Sequence, residues 1–170
     1  RAIAPRLSLS TGAEAMRSMA AGLAHIPHAE EMLRFMRRHL APRAEPLGEP
    51  LVGGETSPLA AMIDVSDGLA KDLRTLCAES RVGAAIDAAT LPVPRAIADI
   101  FGLEGDALAD FALSSGEEYA LLAAVRAGAL DALPPGASVI GRVVAESEGL
   151  AITGAGGVRE LPRLGYEHEF

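Results

Sequence analysis

Residues 61–69 read Ala-Met-Ile-Asp-Val-Ser-Asp-Gly-Leu, and this stretch predicts a strand that turns directly into a helix. The apolar run ends at Asp64, and Ser66-Asp67-Gly68 opens an amphipathic segment. Such a junction is where α/β proteins bind anionic ligands. Here two carboxylates, Asp64 and Asp67, occupy that place. Because carboxylates and phosphates repel each other, we expect both groups only with divalent cations between them, which points to Mg²⁺ and phosphate chemistry.

The same residues also fit a simpler interpretation. Ser and Asp are preferred helix N-caps, each worth about 1 kcal/mol, so Ser66 and Asp67 could serve only to start the helix. In the functional interpretation, Asp64 and Asp67 bind metal while Ser66 donates to a nucleotide phosphate. Asp64 favours this second interpretation because a cap does not need it. The spacing alone leaves both open.

The surrounding pattern predicts a mixed β-sheet covered by helices, an α+β fold. A strand at 60–65 leads into a helix over 67–80 with an apolar face (Leu69, Leu73, Leu76, Cys77) and a polar face (Lys71, Asp72, Arg74, Thr75). Residues 119–125 form an apolar run typical of a buried central strand. Further strands are predicted at 7–10, 82–86, 137–144 and 149–153, with a hairpin turn at 154–157. Helices are predicted at 13–24, 28–40, 95–101, 106–111 and near 127–133, and a loop at 41–58.

Composition narrows the class of protein. A chain of 170 residues suits one domain of ordinary size, and a net charge of −8 disfavours a nucleic-acid or anionic-membrane surface. The single cysteine, Cys77, cannot form an internal disulfide and fits a cytoplasmic location. No apolar run is long enough to span a bilayer, and no signal peptide is recognisable. Because the chain begins at Arg1 rather than Met, we expect it to be a fragment, a processed product or an engineered chain.

Two other segments carry candidate binding residues. Residues 113–122 read Leu-Ser-Ser-Gly-Glu-Glu-Tyr-Ala-Leu-Leu, which places Glu117 either at a ligand-binding edge or in a solvated turn. The tail over 165–170 contains Tyr166, whose ring could stack on a flat heterocycle. That tyrosine could equally anchor the terminus to the core or lie in a frayed end.

Together these segments resemble the C-terminal half of the thiamine-monophosphate kinases, which belong with aminoimidazole ribonucleotide synthetase and selenophosphate synthetase. Residues 63–69 match the Asp-hydrophobic-Ser-Asp-Gly-Leu motif of this family, and 113–122 resemble its Leu-Ser-Gly-Gly-Glu-Asp-Tyr-Glu-Leu segment. Ser115 stands where the family has a glycine, and Ala120 where it has an acid. The matching segments, in chain order, are 33–42, 63–69, 82–87, 91–92, 113–122, 140–142 and 165–168.

The resemblance implies an ATP-dependent kinase that converts thiamine monophosphate to thiamine diphosphate with Mg²⁺. It implies that Asp64 and Asp67 are magnesium ligands, Ser66 an ATP contact, and Glu117 and Tyr166 substrate contacts, with no catalytic base required. Residues 1–29 would be a junction segment with the first helix, and 30–170 the C-terminal domain that binds substrate and nucleotide.

The family's N-terminal domain, which supplies most metal-binding acids and the dimer interface, has no counterpart in the sequence. We therefore expect the chain to be inactive alone, and a homodimer only for the full-length family. Two alternatives remain: another kinase or synthetase of the same superfamily, and a binding module without catalysis.

Overall fold

The computed structural model describes residues 28–31, 33–34, 57–116 and 120–166. The predictions for residues 1–27, for 35–56 and for Glu117 lie outside these ranges. Residues 29–31 and 33–34 are helical, in agreement with the predicted helix over 28–40. They belong to a different compact unit from the remaining described residues. The predicted domain boundary near residue 30 stays a prediction.

The strand that carries Asp64 is confirmed. Strand β1, Leu59–Asp64, has side chains that alternate between half-buried and exposed, as expected when one face packs on the protein. It pairs antiparallel with β3, Leu121–Val125, so that Asp64 lies opposite Leu121. The Val65 N–H donates to the carbonyl of Ala120 at 2.8 Å, which continues the pairing beyond β1.

The prediction of a buried central strand over 119–125 is wrong for the described part of the chain. There β3 pairs with β1 alone, in a two-stranded sheet, and Leu121 is 38% exposed. An apolar run indicates that a segment favours burial against another part of the protein. It does not specify which segment covers it, and here Leu122 packs against the core while Leu121 stays exposed.

The remaining strands form the mixed sheet that the sequence predicts. Strand order is β4-β2-β5-β6, with β2 parallel to β5 and the other neighbours antiparallel. The α+β class is thus confirmed, although its strands are divided between two sheets. The predicted turn at 154–157 joins β5 to β6 as a hairpin. The bounds are β2 Val82–Asp87, β4 Gly141–Ala145, β5 Leu150–Gly154 and β6 Gly157–Glu160.

Three helices accompany the sheets within residues 57–116 and 120–166: α1 Leu69–Ser80, α2 Arg95–Phe101 and α3 Gly105–Ser114. Helix α1 ends at Ser80 and is capped by Arg81, which has a left-handed backbone conformation and whose N–H donates to the carbonyl of Ala78. The helix predicted near 127–133 is only a 3-10 turn, Leu130–Ala132. Pro134 and Pro135 follow one residue after this turn, and prolines there cannot continue a helix.

An aliphatic core fixes α1 and α3 against the four-stranded sheet. Leu113 of α3 and Ile152 of β5 are fully buried, and Leu73 and Cys77 of α1 pack in the same cluster. This packing holds the loop before α1 and the residues after α3 in fixed positions. None of the helices in the described ranges has the length and apolarity that a membrane crossing requires.

Candidate functional site

Three chain segments meet at the start of α1. They are the loop over 65–68, the residues that follow α3, and the tail at 165–166. The Tyr166 N–H donates to the carbonyl of Asp67 at 2.8 Å. A Cβ atom at Gly116 would lie 2.7 Å from the Ser66 carbonyl oxygen, and one at Gly165 would lie 2.9 Å from that of Asp67. Both positions therefore require glycine, because the backbones approach too closely for a side chain.

A buried carboxylate organises the loop. Asp72 is 5% exposed, although the helical pattern predicts it on the polar face of α1. Its Oδ2 atom accepts from the N–H groups of Ser66, Asp67 and Gly68 at 2.9, 3.1 and 3.2 Å. Hydrogen bonds to an ionised acceptor are about twice as strong as neutral ones, so this cluster fixes the loop backbone. The prediction that Asp72 faces solvent is wrong because these donors draw it inward.

The same geometry limits how an anionic ligand could bind at this junction. Helix α1 begins at Leu69, two residues later than predicted, and the donors of residues 66–68 are engaged by Asp72. An internal carboxylate therefore takes the place beside the positive end of the helix dipole. The N–H groups of residues 66–68 are therefore already occupied and are not available to a phosphate.

The alternative in which Ser66 or Asp67 merely caps the helix is also wrong. The N-cap residue is Gly68, and α1 has no side-chain capping hydrogen bond. The Asp67 carboxylate instead pairs with Lys71, with 2.8 Å between Oδ2 and Nζ. Both side chains are about one-third exposed, so they lie at the rim of the site, accessible to a ligand.

Asp64 and Asp67 offer hard oxygen donors of the kind Mg²⁺ prefers. Asp64 ends β1 with an exposed side chain, and no other described residue hydrogen-bonds or ion-pairs with its carboxylate. Two carboxylates fit such an ion but cannot complete its coordination shell. Within 28–31, 33–34, 57–116 and 120–166, no group of three or more His, Cys, Asp or Glu side chains could hold a metal. The roles of both acids as ligands stay predictions.

Of the two predicted substrate contacts, the structure describes Tyr166 but not Glu117. Tyr166 lies beside the Asp67 loop through its backbone, and the residue is 64% exposed, so the alternative in which its ring anchors the tail in the core is wrong. Glu117 lies outside the described residues. Ser115, at the family's first glycine position, has φ −64°, which any residue adopts without strain. The backbone conformation at this position therefore does not require a glycine.

The pattern of the sequence alone did not single out Asp72 or Lys71. Both stand on the predicted polar face of α1, where charged residues are usually solvated. A usable signal existed in their spacing, because Lys71 is four residues after Asp67 and Asp72 four after Gly68. Such spacing brings a side chain back to the turn that precedes a helix.

The fold and this loop define a known class of domain. Residues 48–153, more than half of the chain, match the family described as AIR synthase related protein, C-terminal domain. The chain belongs to that family.

The particular likeness is to the thiamine-monophosphate kinases. The protein of that name from Halobacterium salinarum is 36% identical over 151 residues, which are 86% of this chain and 47% of the relative. The one from Escherichia coli K12 is 34% identical over 163 residues, 88% of this chain and 48% of the relative. A solved structure, AaThiL complexed with AMPPCP and TMP, has a TM-score of 0.60 at 25% identity, covering 81% of this chain and 41% of that one. These findings confirm the resemblance. The chain spans about half the length of the curated relatives it matches.

Proposed function

We propose that this chain is the C-terminal half of an ATP-dependent kinase that converts thiamine monophosphate to thiamine diphosphate. The names of its curated relatives support this activity, as does the AMPPCP and TMP complex of a structural neighbour. The observation that carries the proposal is the bond between the Tyr166 N–H and the Asp67 carbonyl. This bond joins two segments. The tail carries the predicted substrate contact, and the loop carries the predicted metal and nucleotide contacts.

In this proposal each residue has a limited role. Asp64 and Asp67 would hold Mg²⁺, which neutralises phosphate charge when bound. The Ser66 hydroxyl would donate to an ATP phosphate, since its N–H is already engaged by Asp72. Glu117 and the exposed ring of Tyr166 would contact the thiamine moiety. No residue of this chain is proposed as a general base, because a phosphate oxygen is already an anionic nucleophile and the reaction depends on positioning and charge neutralisation.

The site in this chain is proposed to be incomplete. Only Asp64 and Asp67 are proposed as ligands, no described group of three or more His, Cys, Asp or Glu side chains could hold a metal, and the matching relatives are about twice as long. We therefore expect little or no phosphoryl transfer by the chain alone. The homodimer and the cytoplasmic location expected for the full-length family remain predictions.

The test is to join the chain to the N-terminal half of the Halobacterium salinarum relative, and to assay formation of thiamine diphosphate from thiamine monophosphate, ATP and Mg²⁺. We expect product from the chimera and none from the chain alone. Asp67→Asn in the chimera should lower the rate at least about 100-fold, as loss of a group that stabilises transition-state charge typically does. Asp99→Asn, which removes an acid in a different i,i+4 ion pair on α2, should leave the rate unchanged.

The matched family is broader than one activity, since it is described by AIR synthase, so a second substrate is the main alternative. The same chimera should be assayed for ATP consumption with a panel of other small phosphates. Faster turnover of another acceptor than of thiamine monophosphate would contradict the substrate assignment. Nucleotide binding without any transfer would favour the binding-module alternative.

A further inference from the structure

Lys71 is the only lysine in the 170-residue sequence, and all other permanently cationic side chains are arginines. Its ammonium makes two contacts at the site. It pairs with Oδ2 of Asp67 at 2.8 Å, and it donates a hydrogen bond to the carbonyl of Tyr166. One side chain of α1 thus holds both the loop before the helix and the tail that lies over it.

These contacts place Lys71 in competition with a divalent cation. A cation bound to Asp67 would bring a second positive charge to the carboxylate whose Oδ2 already pairs with the ammonium, and like charges at such a distance repel. A lysine suits displacement because its charge is compact and its four-carbon stem is flexible, whereas the planar fork of an arginine is held more rigidly. When Nζ leaves Asp67, its bond to the Tyr166 carbonyl is also strained or lost.

We propose that Lys71 is a positioning residue that a divalent cation displaces from Asp67, so that occupation of Asp67 changes how the Tyr166 segment is held. This inference rests on the proposed metal role of Asp67. The Tyr166 N–H bond to the Asp67 carbonyl does not involve Lys71 and would keep the tail near the loop after displacement. The tail would therefore lose the hydrogen bond from Lys71 to the Tyr166 carbonyl but would stay at the site.

The first test uses the absence of other lysines. An amine-reactive ester labels only Lys71 and the N-terminal amine, and mass spectrometry of peptides separates the two. We expect the labelling rate at Lys71 in the full chain to rise about threefold as Mg²⁺ saturates, since exposed ion pairs are weak enough for such a change. The midpoint should coincide with that of Mg²⁺ binding measured by calorimetry, with KCl at equal ionic strength as the control.

Variants give an independent readout. Lys71→Met should bind Mg²⁺ about threefold to fivefold more tightly, because it removes the competing charge. Lys71→Arg, which keeps the charge on a more rigidly held group, should bind Mg²⁺ no more tightly than the wild type. Arg95→Met is the matched control because Arg95 also forms an i,i+4 ion pair, with Asp99, on another helix, and its Mg²⁺ affinity should be unchanged. Circular dichroism establishes that each variant is folded.

The failures of the two proposals can be told apart. If Mg²⁺ binds in an Asp67-dependent way, but labelling of Lys71 and the affinity of Lys71→Met do not change, the inference about Lys71 is overturned and the metal role stands. If Asp67→Asn has no effect on Mg²⁺ binding, or Mg²⁺ does not bind, both the metal role and the role of Lys71 are overturned.

Discussion

At the scale of single residues, the most consequential feature is the burial of the Asp72 carboxylate. It accepts three backbone N–H groups at the start of α1 and so decides the shape of the loop that carries Ser66 and Asp67. A buried acceptor with three donors is costly to remove because the donors lose their partner together. The loop geometry therefore depends on a residue that contacts no proposed ligand.

Replacement of Asp72 should test this dependence. We expect Asp72→Ala to lower the free energy of unfolding by about 2–4 kcal/mol, because three N–H groups lose their acceptor. Asp72→Asn keeps one carbonyl acceptor and should recover about half of that loss. Urea denaturation measures both, and Asp99→Ala, at a less buried acid on α2, should change stability by less than about 0.5 kcal/mol. A change in Asp72→Ala as small as in this control would contradict the assignment.

Cys77 is the single cysteine of the sequence, and its free thiol is buried. It lies in the core on the apolar face of α1, as the sequence predicts, and burial raises the pKa of its thiol. A thiol whose pKa is raised on folding stabilises the native state fully below its unfolded pKa, and this contribution is lost as pH rises through the folded pKa.

Two measurements follow for Cys77. Iodoacetamide at pH 8 should react slowly with the native chain and rapidly in urea, because the thiolate is the reactive form. The free energy of unfolding should fall more steeply above about pH 8.5 in the wild type than in Cys77→Ala. Equal pH profiles in the two proteins would contradict the assigned pKa shift.

At the scale of elements, the site depends on how closely the segment after α3 approaches the loop before α1. Gly116 leaves no room for a Cβ atom against the Ser66 carbonyl, whereas Ser115 has an ordinary backbone conformation. Of the two positions at which the family has glycines, only the second requires one here. The departure at Ser115 is thus compatible with an intact site.

Substitutions at these two neighbours should therefore have different effects. Gly116→Ala should destabilise the chain by about 1–3 kcal/mol, because one of two backbones must shift. Ser115→Gly, which restores the family residue, should cost no more than about 1 kcal/mol, through the entropy of the unfolded chain. Thermal denaturation compares them directly, and an equal or larger effect at Ser115 would contradict the assigned close approach.

At the scale of the molecule, the two-stranded sheet leaves large apolar side chains partly exposed. Met62 of β1 and Leu121 of β3 are both about 40% exposed and lie on the same face of the sheet, because Met62 is opposite Ala123 and Asp64 opposite Leu121. Exposed apolar faces of this kind favour association. A chain half the length of its relatives is expected to have such a face.

We expect the average mass of the chain in light scattering to rise with concentration. Met62→Glu should reduce that rise, because it places a charge on the exposed face of the two-stranded sheet. Val158→Glu, at an exposed residue of β6 in the other sheet, is the matched control and should have little effect. A monodisperse monomer at high concentration would contradict the prediction.

The sequence by itself determined the local structure and the candidate residues. The apolar run that ends at Asp64 and the helical period after Gly68 predict β1 and α1, since both follow from local spacing of side chains. The residue types at 64, 66 and 67 likewise indicate phosphate and metal chemistry. Only the tertiary structure decided that the Asp72 carboxylate occupies the backbone donors, that Lys71 pairs with Asp67, and that Tyr166 lies beside the loop. These facts depend on contacts between segments up to about a hundred residues apart, and on which charged side chains burial draws inward, neither of which local spacing encodes.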